Sequence, residues 1–207
     1  MKLIIILFST SLLLANPYPN FTNKDFIFIE QTKGKIAKNR AMDYQKNIKS
    51  FQKYKKIKQL NKVNLYLNQL LPQYDDVIQK KEDYWASPKE FLITGYGDCE
   101  DYVIIKYFTL LKLGFDKEKL FFTTVNEKFL GSYHMVLSYF KNQEKSPLIL
   151  DNLSFKIMTL KQRDDLKAEI FINHSGIYKL DKNNKLIKIQ NSSYQFNDLI
   201  KKIQKEN

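Results

Sequence analysis

Apolar residues recur at helical spacing through the first half of the chain and alternate through much of the second. Phe51, Tyr54, Ile57 and Leu60 follow one another by threes among lysines. This spacing predicts helix within 25–60, with the lysines as its solvated face. Residues 61–71 continue as a second helix that Pro72 stops. Residues 16–24 read as an irregular arm. Ser87 ahead of Pro88 predicts a short capped helix, broken by Gly95-Tyr96-Gly97. From Asp101, the positions Val103, Tyr107, Leu110 and Leu111 form a buried helical stripe that Gly114 closes. The period then changes. Residues 120–125, 133–140 and 146–153 read as strands, followed by 168–173, 176–180 and 185–190, with Asn183-Asn184 as a turn. A final short helix is predicted over 196–205. Helices first and an antiparallel sheet after define an α+β fold, with 16–207 as one domain.

The N-terminus adds a location. Met1-Lys2 precedes an apolar run from Leu3 to Leu14, and Ala15 stands at a plausible cleavage point. A span needs about 20 apolar residues, so 1–15 read as a signal peptide and the chain as exported. Net charge is +12, from 34 basic and 22 acidic residues. That balance raises the question of nucleic acid, but the charge is almost all lysine, spread throughout. Arg40 and Arg163 are the only arginines, and arginine is the side chain suited to bidentate reading of bases and phosphates. Nucleic acid is therefore not expected. A basic surface suits an acidic protein partner or an anionic membrane face. One cysteine and two histidines without close spacing do not make a usual zinc site.

The lone cysteine carries the chemistry. Cys99 lies in Gly97-Asp98-Cys99-Glu100-Asp101, at the start of a predicted helix, where free N–H groups and the macrodipole favour a thiolate. His134 follows on one predicted strand and Asp151 on the next. If the turn within 141–146 centres near 143 or 144, paired positions sum to about 287. His134 then faces Leu153, and Asp151 is its diagonal neighbour on the same face. The three read as nucleophile, base and orienter, with an Asp oxygen on Nδ1–H and Nε2 turned to the thiol. Plainer roles compete: a small buried cysteine, a core histidine, an aspartate capping a turn. His174 reads as an ordinary surface-turn residue. Trp85 and Gly97 are candidates for the substrate cleft, against roles as a core aromatic and a turn residue.

Several blocks together resemble a known family. Asp83-Tyr84-Trp85-Ala86-Ser87-Pro88, Gly95 to Tyr102, Lys106-Tyr107-Phe108, His134-Met135-Val136-Leu137 and Leu150-Asp151-Asn152-Leu153 are similar, in order and spacing, to the bacterial transglutaminase-like cysteine proteinases. The resemblance covers roughly residues 60–180. It implies a papain/transglutaminase-like fold and the triad Cys99, His134 and Asp151. It implies periplasmic cleavage of the N-terminal region of a large surface adhesin, with control of biofilm attachment. It also implies sequestration by an inner-membrane receptor that senses cyclic di-GMP. Calcium is implied as cofactor, with Asp98 and Glu100 as ligands. Without the resemblance, those acidic residues are simply answers to the helix dipole. Acyl transfer to an amine, as in a true transglutaminase, stays open on sequence, as does a non-catalytic binding module.

Overall fold

The computed structural model describes residues 18–72, 84–129, 131–142 and 144–206. The predicted signal peptide lies outside them. Three helices come first: α1 (Asn23–Lys33), α2 (Lys35–Phe51) and α3 (Lys56–Leu67). The breaks differ from those expected. Gly34, at φ +87°, separates α1 from α2, and a short bend after Phe51 separates α2 from α3. Residues 61–67 therefore belong to the helix that starts at Lys56. Ile57 is half exposed, so the threefold run through Phe51, Tyr54 and Leu60 does not form one buried stripe.

Next come the two-residue strand β1 (Leu71–Pro72), α4 (Pro88–Thr94), β2 (Tyr96–Gly97) and α5 (Cys99–Lys112). Ser87 accepts from the Glu90 N–H while Glu90 returns a bond to the Ser87 N–H. Gly95 ends α4 in the left-handed conformation, with Arg40 packed against it. Seven strands form one antiparallel sheet: β3 (Leu120–Glu127), β4 (Tyr133–Tyr139), β5 (Leu148–Asp151), β6 (Ser154–Thr159), β7 (Leu166–Asn173), β8 (Gly176–Leu180) and β9 (Leu186–Gln190), in the order β6-β5-β4-β3-β7-β8-β9. The strand β6 was not expected; a two-residue turn at Asn152-Leu153 starts it where a single longer strand was predicted. The helix α6 (Tyr194–Glu206) closes the chain, burying Phe196, Leu199 and Ile203.

The sheet and α3 enclose α5. Residues 101–110 of this helix are all buried, so the stripe expected on it is instead burial on every side. Its Ile104, Ile105 and Leu110 are fully covered, each worth roughly 1.5–3 kcal/mol relative to exposure. Tyr107 packs edge-on against Phe122 of β3 and Phe196 of α6, which ties helix, sheet and C-terminus together. Among the described residues no helix is long and apolar enough to cross a membrane.

Candidate active site

The β4–β5 register is the one the sequence predicted. Leu137 pairs with Leu150, Ser138 with Ile149 and Tyr139 with Leu148, each pair summing to 287. At the open end of this ladder, His134 Nε2 lies 2.8 Å from Asp151 Oδ1. The nitrogen is not the one expected. Nε2 is the ring atom farther from the histidine's own backbone, so it is the one that reaches across to the neighbouring strand. Nδ1 is left on the other side of the ring.

Asp151 is almost completely buried and held from four directions. Its Oδ1 accepts the Leu153 N–H at 2.9 Å as well as the His134 contact. Its Oδ2 lies 2.9 Å from Arg163 Nη2, and Arg163 in turn grips Asp165 through Nε and Nη2. From the residue that caps the end of α3, Asn68 Nδ2 donates to the Asp151 carbonyl at 2.7 Å, and from within the helix Asn64 Nδ2 donates to the Ser154 carbonyl at 2.8 Å. Burial alone would raise the Asp151 pKa. The His134 hydrogen bond and charge, the Leu153 N–H and Arg163 outweigh it and bring it down to about 2.

Cys99 is the first residue of α5, directly after the N-cap Asp98. It is half-buried, and the backbone N–H of Met135, the residue after His134, favours its thiolate. The helix α5 packs against β4, the strand that carries His134. Cys99 Sγ lies 3.0 Å from Glu100 Oε2. Burial pushes the thiol well above its ordinary pKa, and the Glu100 carboxylate pushes it further; the Met135 N–H opposes them.

The remaining predicted residues fall as follows. Asp101 is buried, and its Oδ1 accepts the Ala86 N–H at 2.8 Å, which straps the Trp85–Ser87 segment to α5. A side chain at Gly97 would stand 2.5 Å from Asp101 Oδ2 and 2.8 Å from the Phe91 ring, so packing alone accounts for glycine there. The Trp85 ring leans on Phe122 at 5.6 Å, and its indole N–H is buried without a hydrogen-bond partner among the described residues. His174 sits on the surface with Nε2 2.6 Å from Glu118. Asn68, Arg163 and Lys106 were not anticipated. Two of them carried a signal: Arg163 is one of only two arginines, and Lys106 is the one charge in the run Val103–Leu111.

A thiol at a helix N-terminus, on a helix packed against two strands that pair a histidine with a carboxylate, marks the cysteine-peptidase class. The profile of the bacterial transglutaminase-like cysteine proteinases matches residues 25–165, and the chain belongs to that family. Solved structures of Legionella pneumophila LapG are similar. The calcium-bound form shares 33% identity at a TM-score of 0.76, covering 88% of this chain and 99% of that one. The EGTA-treated form gives the same identity and TM-score over 89% and 99%. No curated protein matches.

Proposed function

We propose that the protein is a periplasmic, calcium-dependent cysteine endopeptidase that cuts the N-terminal region of a large surface adhesin and so controls biofilm attachment. The observation that carries this reading is the His134–Asp151 pair at 2.8 Å, on two strands against which the helix that starts at Cys99 packs. Asp151 stays ionised and fixes the imidazole through Nε2. Nδ1 of His134 then takes the Cys99 proton, and the thiolate attacks a peptide carbonyl. The oxyanion is met by backbone N–H groups at the start of α5, that of Cys99 among them. His134 protonates the leaving amine, and water hydrolyses the thioester.

The end of the sheet that carries His134 and Asp151 also exposes Phe129, Tyr133, Leu153 and Phe155. This apolar rim supports an extended polypeptide as substrate, and Trp85 and Gly97 are the candidate cleft residues.

Asp98 and Glu100 offer the hard carboxylate oxygens that calcium takes. Among the described residues no group of three or more acidic, histidine or cysteine side chains gathers as a metal site, so carbonyls and water complete any shell. Calcium held there supplies positive charge against the Glu100 carboxylate, which otherwise opposes ionisation of the thiol. Legionella pneumophila LapG has been solved both calcium-bound and EGTA-treated, which supports this assignment. The regulatory partner proposed is an inner-membrane receptor for cyclic di-GMP that sequesters the enzyme.

The test is incubation with the N-terminal part of a large adhesin from the same organism, with and without calcium, beside Cys99→Ala. The expected result is a single calcium-dependent cut that Cys99→Ala lacks. Isopeptide-linked products in place of a cut would reassign the protein to acyl transfer.

A further inference from the structure

Arg40, on α2, is one of two arginines in the chain and has no part in the chemistry above. Its Nη1 donates to the Leu92 carbonyl at 3.0 Å and to the Ile93 carbonyl at 2.8 Å. Both oxygens belong to the last turn of α4, where helix carbonyls lack partners within the helix and a cation is favoured. The same guanidinium lies over Gly95. A Cβ built on that residue would overlap Arg40 Cζ and both Nη atoms, so a group from another helix fills the space of a side chain there. A lysine could meet the two carbonyls, but only a flat guanidinium also covers the glycine.

We propose that Arg40 is a positioning residue of the candidate active site: it clamps the turn through which the chain enters α5 at Cys99. Gly95 to Asp98 are all that separates the end of α4 from the start of α5. Gly95 turns at φ +84°, with its N–H on the Phe91 carbonyl at 2.9 Å. Thr94 Oγ1 donates to the Tyr96 carbonyl at 3.1 Å, and Tyr96 and Gly97 pair with Leu71 and Pro72. Asp98 then caps the helix that Cys99 begins. A connection this short passes a displacement at Gly95 on to the Cys99 backbone N–H, with only a two-residue ladder to absorb it. The body of α5 is fixed by burial, so Arg40 acts on its entry, where the oxyanion is proposed to be met. A misplacement of about 1 Å at such a point costs catalysis about 10²-fold. Arg40 also borders a groove of about 660 Å³ between α2 and α3, through which a small solute can reach its place.

The inference rests on reading Cys99 as the nucleophile, but its first readout needs no substrate. Cys99 is the only cysteine, so iodoacetamide reports on it alone in the whole mature protein. At fixed calcium, the alkylation rate in Arg40→Ala should differ from the wild type by about threefold or more. Millimolar guanidinium should bring that rate back toward the wild-type value, and methylammonium, which has no flat donor group, should not. General loosening of the fold would not distinguish the two solutes. With the adhesin fragment as substrate, kcat should fall by about tenfold or more at unchanged KM, and guanidinium should restore it. A folded Arg40→Ala that alkylates at the wild-type rate overturns the proposal, as does an altered rate that guanidinium leaves in place. If that variant does not fold, Arg40→Lys keeps a donor for the carbonyls and loses the plane over Gly95. Its alkylation rate should then differ by the same margin, and an unchanged rate overturns the clamp. Alkylation that depends on Arg40 in a protein that cuts no adhesin supports the clamp while removing the peptidase reading.

Discussion

His134 Nε2 and Asp151 Oδ1 lie 2.8 Å apart across an antiparallel ladder, 17 residues apart in sequence. The bond depends on a carboxylate that is itself fixed by Leu153, Arg163 and Asn68. The imidazole is thus held through a carboxylate that has partners of its own.

Asp151→Asn should keep the fold and lower kcat/KM by about 10²–10⁴-fold, because the imidazole loses its orienting charge. Stability gives a second readout. The folded Asp151 pKa, about 2, lies below the ordinary 3.8, so the carboxylate stabilises the fold above pH 4. That contribution, on the order of 2 kcal/mol, is lost as pH falls through 2. Thermal melts of the two proteins should differ at pH 6 and converge at the acid end. Equal melting temperatures at both ends would contradict the ion-pair account.

Glu100→Gln removes the carboxylate charge 3.0 Å from Cys99 Sγ. Alkylation of Cys99 by iodoacetamide at pH 7.5 should then run several-fold faster than in the wild type. An unchanged rate would show that burial alone restrains the thiol.

Calcium removal tests the metal assignment directly. Excess EGTA should abolish adhesin cleavage, and added calcium should restore it. In Asp98→Asn the calcium needed for half-maximal cleavage should rise by an order of magnitude or more. Full activity in EGTA would overturn the calcium proposal and leave the His134–Asp151 geometry untouched.

Asn68→Ala cuts the bond from α3 to the Asp151 carbonyl. A buried carbonyl left without its donor costs about 1–3 kcal/mol, readable in urea unfolding. Cleavage should fall with it, since the β5–β6 turn that carries Asp151 loses its anchor. A loss of stability with no loss of cleavage would show that the anchor does not reach the site.

Much of this was legible in the chain. The α+β order, the Ser87 cap and the left-handed stop at Gly95 follow from local rules, and the β4–β5 register followed from a guess at one turn centre. What was not legible depends on distant elements. The Asn68 donor and the Arg163 counter-charge lie 83 and 12 residues from Asp151, and no spacing rule joins them. The stripe on α5 was read too narrowly because the polar Lys106 and Thr109 hid a helix covered on every side. The nitrogen facing Asp151 was misassigned because ring orientation is set by the reach of the side chain across the ladder, and not by pattern.

The chain leaves β4 after Tyr139 and enters β5 at Leu148, at the opposite end of the ladder from His134 and Asp151. That connection is the natural place to graft an epitope tag or fluorescent label on this protein. Extra length there leaves the 287 pairing intact, whereas a single residue inserted within either strand would turn the imidazole and the carboxylate to opposite sides of the sheet.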